Sequence, residues 1–209
     1  MSSALVLGLA VAGCGSSSST SSSTQAGRTS HASSSQQTGT GADTTATSSR
    51  SKEHVPTVTI KVSSPAYRGA GAIHVRYTCD GADASLPLQW STIPKGIAEL
   101  VLFVTDFNEK PQGGETFFSW AVAGLHPTLR GLAGGTLPAG AIVGRNSFGQ
   151  SRYSVCPPKG GGVHHFLVVL YALPHSVSAQ PGFAANALLK TVTHAAEYSG
   201  LSGFAYKRG

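Results

Sequence analysis

Three stretches of this chain are apolar at nearly every position: Leu100–Val104, Phe117–Ala123 and Phe166–Leu173. Each is bounded by polar, Gly or Pro residues, and runs of this kind suit strands covered on both faces. Whatever fold forms must therefore hold a sheet whose centre sees water on neither side. Two further segments, Thr57–Val62 and Ile73–Tyr77, alternate apolar with polar residues and are expected as half-buried strands. Helical spacing occurs once, where Ala184, Leu188, Val192 and Ala195 follow Pro181-Gly182, with Gly200 expected to close the helix. The expected class is mainly β (α+β): an antiparallel β-sandwich with a C-terminal helix, and Trp90 and Trp120 in its core.

All of these segments lie beyond residue 55 of the 209. Residues 15–54 are dominated by Ser, Thr, Gly, Ala and Gln and lack the apolar side chains that would offset the entropy of ordering them, so a disordered tether is expected. Residues 1–14 carry an apolar run, Ala4–Val11, too short to span a bilayer, and end in Val11-Ala12-Gly13-Cys14. Small residues immediately before a cysteine resemble a bacterial lipobox, which makes Cys14 the expected lipidation site and the protein an exported lipoprotein of the cell envelope. The folded domain is then residues 55–209.

With Cys14 lipidated, Cys79 and Cys156 remain as an even pair in a compartment that permits disulfides. A bridge between them is one reading; two separate buried thiols is the other. No Cys-x-x-Cys spacing favours zinc. His164 and His165 are neighbours on a strand and face opposite ways, so they do not share an ion with His74; no metal and no cofactor are expected. The formal net charge of +6 is scattered, without the basic run or aromatic interleaving of a nucleic-acid groove, and is better suited to anionic or phosphorylated ligands.

Loop chemistry concentrates at Cys156-Pro157-Pro158-Lys159-Gly160-Gly161-Gly162-Val163-His164-His165, where stiff residues precede flexible ones and open the third apolar run. In chain order it follows Tyr77-Thr78-Cys79-Asp80-Gly81, Ser85–Trp90, Val104-Thr105-Asp106, Gly113–Trp120 and Gly144–Gly149. This succession resembles the phosphatidylethanolamine-binding protein (PEBP) family, in particular its bacterial Raf-kinase-inhibitor-like branch, over about residues 56–208.

The resemblance implies a binding module with a small anion pocket, possible roles as an inhibitor, and a ligand set of Asp106, Ser119, Pro158, His164 and Phe166. Asp106 matches the aspartate that ends a central strand, although Phe107-Asn108-Glu109-Lys110-Pro111 departs from the family's Asp-Pro-Asp-Ala-Pro loop by losing the second aspartate. Ser119 stands where the family has a histidine. His165 is expected to face away from the pocket, Asp80 to bond nearby backbone, and Gly203–Arg208 to serve packing. The partners implied are a small anionic or phosphorylated ligand such as a phospholipid head group, the membrane through the lipid anchor, and an extracellular protease. Two alternatives stay open: a serine hydrolase built from Ser119, His164 and Asp106, though no Gly-x-Ser-x-Gly elbow is present and no catalytic residue is assigned, and a protease inhibitor that takes no small ligand.

Overall fold

The computed structural model describes residues 54–209; the lipobox, Cys14 and nearly all of the tether fall outside them. Eight strands and one α-helix follow in the order β1 (Thr57–Ser63), β2 (Leu88–Trp90), β3 (Glu99–Asp106), β4 (Phe117–Leu125), β5 (Gly131–Leu132), β6 (Ile142–Val143), β7 (His164–Leu173), α1 (Ala185–Ala195) and β8 (Tyr198–Tyr206). The strands join in one sheet of order β5-β2-β1-β8-β7-β3-β4-β6. Pairing is antiparallel except between β1 and β8, which run parallel.

The sheet is therefore mixed, and the expectation of an antiparallel sandwich is corrected to a single curled sheet. Curling follows from the packing. Leu88, Trp90 and Leu132 near one edge share an apolar cluster with Trp120 and Val122 near the other, which a flat eight-stranded sheet could not bring together. On β3, Leu100, Leu102 and Val104 face this cluster, whereas Val101 and Phe103 face a second one with Phe118, Ala121 and the Ala185 and Val192 side chains of α1. That division is the physical content of a continuous apolar run. Each buried Leu or Phe contributes about 1.5–3 kcal/mol relative to exposure, so β3, β4 and β7 anchor the fold.

Two local expectations also change. Ile73–Tyr77 is not a strand: Ile73 is buried, but Val75–Tyr77 form a 3₁₀ turn capped by His74, whose Nδ1 accepts from the Arg76 amide at 3.1 Å. The helix is found, yet it does not end the chain or reach Gly200. It stops at Ala195, and Glu197 donates its amide to the Ala172 carbonyl as the chain turns into β8. Gly200 instead sits within β8, where a Cβ would lie 2.5 Å from the Ile60 carbonyl oxygen; its lack of a side chain lets β1 and β8 approach. One charged group is used structurally in the interior. Glu99 accepts the amides of Gly124 at 2.7 Å and Val177 at 2.9 Å, tying the end of β4 and the loop after β7 to the start of β3.

Candidate functional site

The ends of β3 and β7 meet in register, with Asp106 opposite Phe166, and this pairing brings the end of one strand beside the start of the other. Asp106 is 4 % exposed and His164 is 9 % exposed. His164 Nδ1 lies 2.8 Å from Asp106 Oδ2, while Asp106 Oδ1 accepts the Asn108 amide at 3.0 Å. A carboxylate only accepts, so the shared proton sits on Nδ1 and fixes the ring's tautomer. Asn108 in turn accepts the His165 amide at 2.7 Å, which ties the β3–β4 loop to β7. His165 itself is exposed, on the opposite side of the strand from His164.

A cavity of about 360 Å³ opens beside this pair, lined by Asp106, Glu109, Ser119 and Arg208 together with Phe117, Phe148, Cys156, Pro157 and Pro158. Ser119 reaches it through an irregularity of β4. The register shifts by one between the pairs Val104–Trp120 and Thr105–Phe118, which leaves Ser119 as the extra residue of a β-bulge. Bulges re-aim side chains and recur beside functional sites. The Ser119 hydroxyl is fully buried and has no hydrogen-bond partner among the described residues. Its backbone carbonyl holds the amide of Ser154, in the segment that leads to Cys156.

The Pro-Pro loop is fastened from behind. Cys79 and Cys156 are joined in a disulfide with their Cα atoms 5.3 Å apart. Arg208, beyond the end of β8, donates to the Pro157 carbonyl at 3.4 Å, contacts Cys156 Sγ at 3.2 Å, and pairs through Nε with Asp80 at 2.9 Å. Tyr206 donates its hydroxyl to the other Asp80 oxygen at 2.6 Å. The Tyr206 hydroxyl and the Arg208 guanidinium hold the Asp80 carboxyl below its ordinary range. Asp80 thus bonds side chains from the far end of the sequence, not nearby backbone, and the 203–208 segment supplies a pocket wall as well as packing.

A model of the family described as phosphatidylethanolamine-binding protein matches residues 63–203. The chain belongs to the PEBP family. The Mycobacterium tuberculosis protein named "Putative lipoprotein LppC" is 35% identical over 138 residues, covering 66% of this chain and 67% of its own length. The UPF0098 protein PH1269 of Pyrococcus horikoshii is 33% identical over 159 residues, covering 72% and 78%. Among solved structures, the Chlamydia trachomatis PEBP homologue CT736 superposes with a TM-score of 0.65 at 27% identity, covering 72% of this chain and 98% of that one. The Escherichia coli PEBP-family protein YbcL gives the same TM-score at 24% identity, covering 72% and 99%, and so attests the fold.

Of the five ligand residues the PEBP resemblance implies, Asp106, Ser119 and Pro158 line one cavity and His164 is bonded to it through Asp106. Phe166 is elsewhere. It is 1 % exposed, in the main apolar cluster, with its ring stacked on Phe204 at 5.0 Å. The reason is strand alternation: His164, Phe166 and Val168 share the inward face of β7, and only the first reaches the rim. Glu109 and Arg208 were not singled out from the sequence. Glu109 sits where the loop departs from the family pattern, a departure that marked the place without assigning the residue.

Proposed function

We propose that this PEBP-family chain is an exported, lipid-anchored binding module whose Asp106–Ser119–His164 cavity takes a small phosphorylated ligand carrying a cationic group. The observation that carries this reading is the buried, unpartnered Ser119 hydroxyl in a cavity lined also by Arg208 and by the carboxylates of Asp106 and Glu109. Ser119 and Arg208 supply donors for phosphoryl oxygens, and Asp106 and Glu109 suit an ammonium. A phosphoethanolamine-type head group has both ends. Anchoring at Cys14 is supported by the lipobox pattern and by the name of the mycobacterial relative.

Calorimetry on the full chain in EDTA tests the ligand. Phosphoethanolamine is expected to bind more tightly than inorganic phosphate, and Ser119→His to bind both more tightly by adding a second ring donor. Equal or weaker binding by that variant counts against the reading. Anchoring is tested by fatty-acid labelling in the producing cell, which Cys14→Ser should abolish; retained label and membrane partition would refute it.

The hydrolase alternative fares less well on geometry. A serine triad needs the nucleophile within hydrogen-bond reach of its base, and Ser119 Oγ bonds neither His164 nor any other described residue. An inhibitor of an extracellular protease that needs no small ligand would leave the cavity and the unpartnered hydroxyl without a role.

A further inference from the structure

The charges around this cavity do not balance. Asp106 and Glu109 both face it, and the only basic side chain within 4.0 Å of either carboxylate among the described residues is His164. Arg208 is engaged by Asp80, and Lys110 packs over the Phe107 ring at 4.8 Å without pairing with Glu109. A nearly buried carboxylate beside a second one is costly unless a cation joins them. We propose that Asp106, Glu109 and His164 form a binding site for a divalent cation of the zinc class, with its open coordination position turned to the cavity.

Three features carry this. One donor atom from each residue lies within 4.8 Å of the other two. His164 Nδ1 is 2.8 Å from Asp106 Oδ2 and 3.9 Å from Glu109 Oε1. Donors held about 2.1 Å from a tetrahedral ion stand about 3.4 Å apart, so the His164–Asp106 separation must open by about 0.6 Å, the His164–Glu109 separation close by about 0.5 Å, and the Asp106–Glu109 separation, within 4.8 Å, close by at most about 1.4 Å, which rotation of the partly exposed Glu109 side chain can supply. Second, one imidazole with two carboxylates is a mixed N,O set that suits zinc, whereas calcium and magnesium prefer oxygen alone. Third, the unpartnered Ser119 hydroxyl lines the same cavity, where it can hydrogen-bond a water or anion oxygen completing the ion's coordination.

The outer shell fits as well. The Asn108 amide holds the second oxygen of Asp106, which steadies the ligand as outer-shell donors do in metal sites. On binding, the imidazole proton moves from Nδ1 to Nε2, so the ring serves as a neutral ligand. This rests in part on the proposed phosphoryl ligand and revises one contact of it: with the ion bound, Asp106 and Glu109 hold the metal in place of an ammonium, and the ion adds positive charge beside the Ser119 donor for a phosphoryl oxygen.

The test uses the full chain, stripped with EDTA and dialysed, titrated with zinc chloride by calorimetry and with cobalt(II) by visible absorption. One zinc per chain is expected, with cobalt bands of tetrahedral or five-coordinate intensity. Glu109→Gln, a change on a partly exposed loop, should weaken zinc by about tenfold or more while leaving the circular dichroism unchanged. No binding, or equal binding by Glu109→Gln, overturns the proposal, the latter because it would place the ion on other histidines. A phosphate titration with and without zinc separates the two readings. Phosphate that binds the stripped chain equally well leaves the cavity an anion site but removes the cation from it; zinc binding without any phosphate response keeps the cation site and removes the phosphoryl ligand.

Discussion

Removing the Cys79–Cys156 disulfide should lower stability by an amount the chain topology sets. The bridge closes a loop with a sequence separation of 77, for which the chain-entropy relation gives about 15 cal/mol/K, or about 4.5 kcal/mol at room temperature. The double variant Cys79→Ser, Cys156→Ser leaves Arg208 an oxygen acceptor where it now meets Sγ, so loop closure is the main difference. Urea unfolding followed by tryptophan fluorescence reads the effect. With a slope of about 2 kcal/mol per molar urea, the midpoint should fall by about 2 M if the full entropy is realised and by about 1 M if residual structure in the unfolded chain halves it. A shift below about 0.5 M at unchanged slope would refute the reasoning. So would alkylation of both cysteines in unfolded, unreduced protein, because the bond would then not exist in solution.

Other consequences of the structure can be measured with the same unfolding assay. Glu99→Ala strips two part-buried amides of their acceptor and should cost about 2–6 kcal/mol, at about 1–3 kcal/mol per orphaned group; a loss under 1 kcal/mol would mean that water takes its place. Phe166→Ala should cost about 3–5 kcal/mol through the core it leaves empty, with little change in ligand affinity if enough folded protein remains to titrate. Burial holds the Tyr153 hydroxyl well above its ordinary 10.0, with Asp83 adding to the effect. The folded state therefore keeps a proton that the unfolded chain releases, so stability is intact below about pH 10 and declines as pH rises from there toward the folded-state value. Tyr153→Phe should flatten part of that alkaline limb, at a cost of about 1 kcal/mol for the bond to the Tyr77 carbonyl; an unchanged limb would assign it to Tyr67, Tyr171 or Tyr206.

Strands β3, β4 and β7 can be read from the sequence because their neighbours on both faces are apolar, so burial shows directly in composition. β8 cannot. Tyr198-Ser-Gly-Leu-Ser-Gly-Phe has neither an apolar run nor strict alternation, so Gly200 is read as a helix stop, and its small residues make sense only beside β1 and β7, which crowd it. Ile73–Tyr77 fails in the opposite sense: an alternating pattern with a local cap, where the His74 ring stabilises a turn over a strand. Within the site, Asp106 and His164 were visible through motif order. Glu109 and Arg208 were not, because a glutamate in a departing loop and an arginine near the end of the sequence gain meaning only once the sheet has closed around the Pro-Pro loop. The bulge at Ser119 is invisible for a related reason, since it is a property of register between two strands and not of either alone.

The position of β8 also has a consequence for how the molecule is made. It lies between β1 and β7, yet follows both in the chain. A polypeptide emerging N-terminus first cannot join the two halves of its sheet until residues 198–206 arrive, and until then β1 and β7 each expose an unpaired edge. The wall formed by Arg208 follows β8 in the chain. Residues 198–208 must be made before there is a binding site, so a nascent chain that has not reached them should present sticky strand edges and no cavity, and a chaperone that shields such edges would matter more to its yield than any gain in core stability.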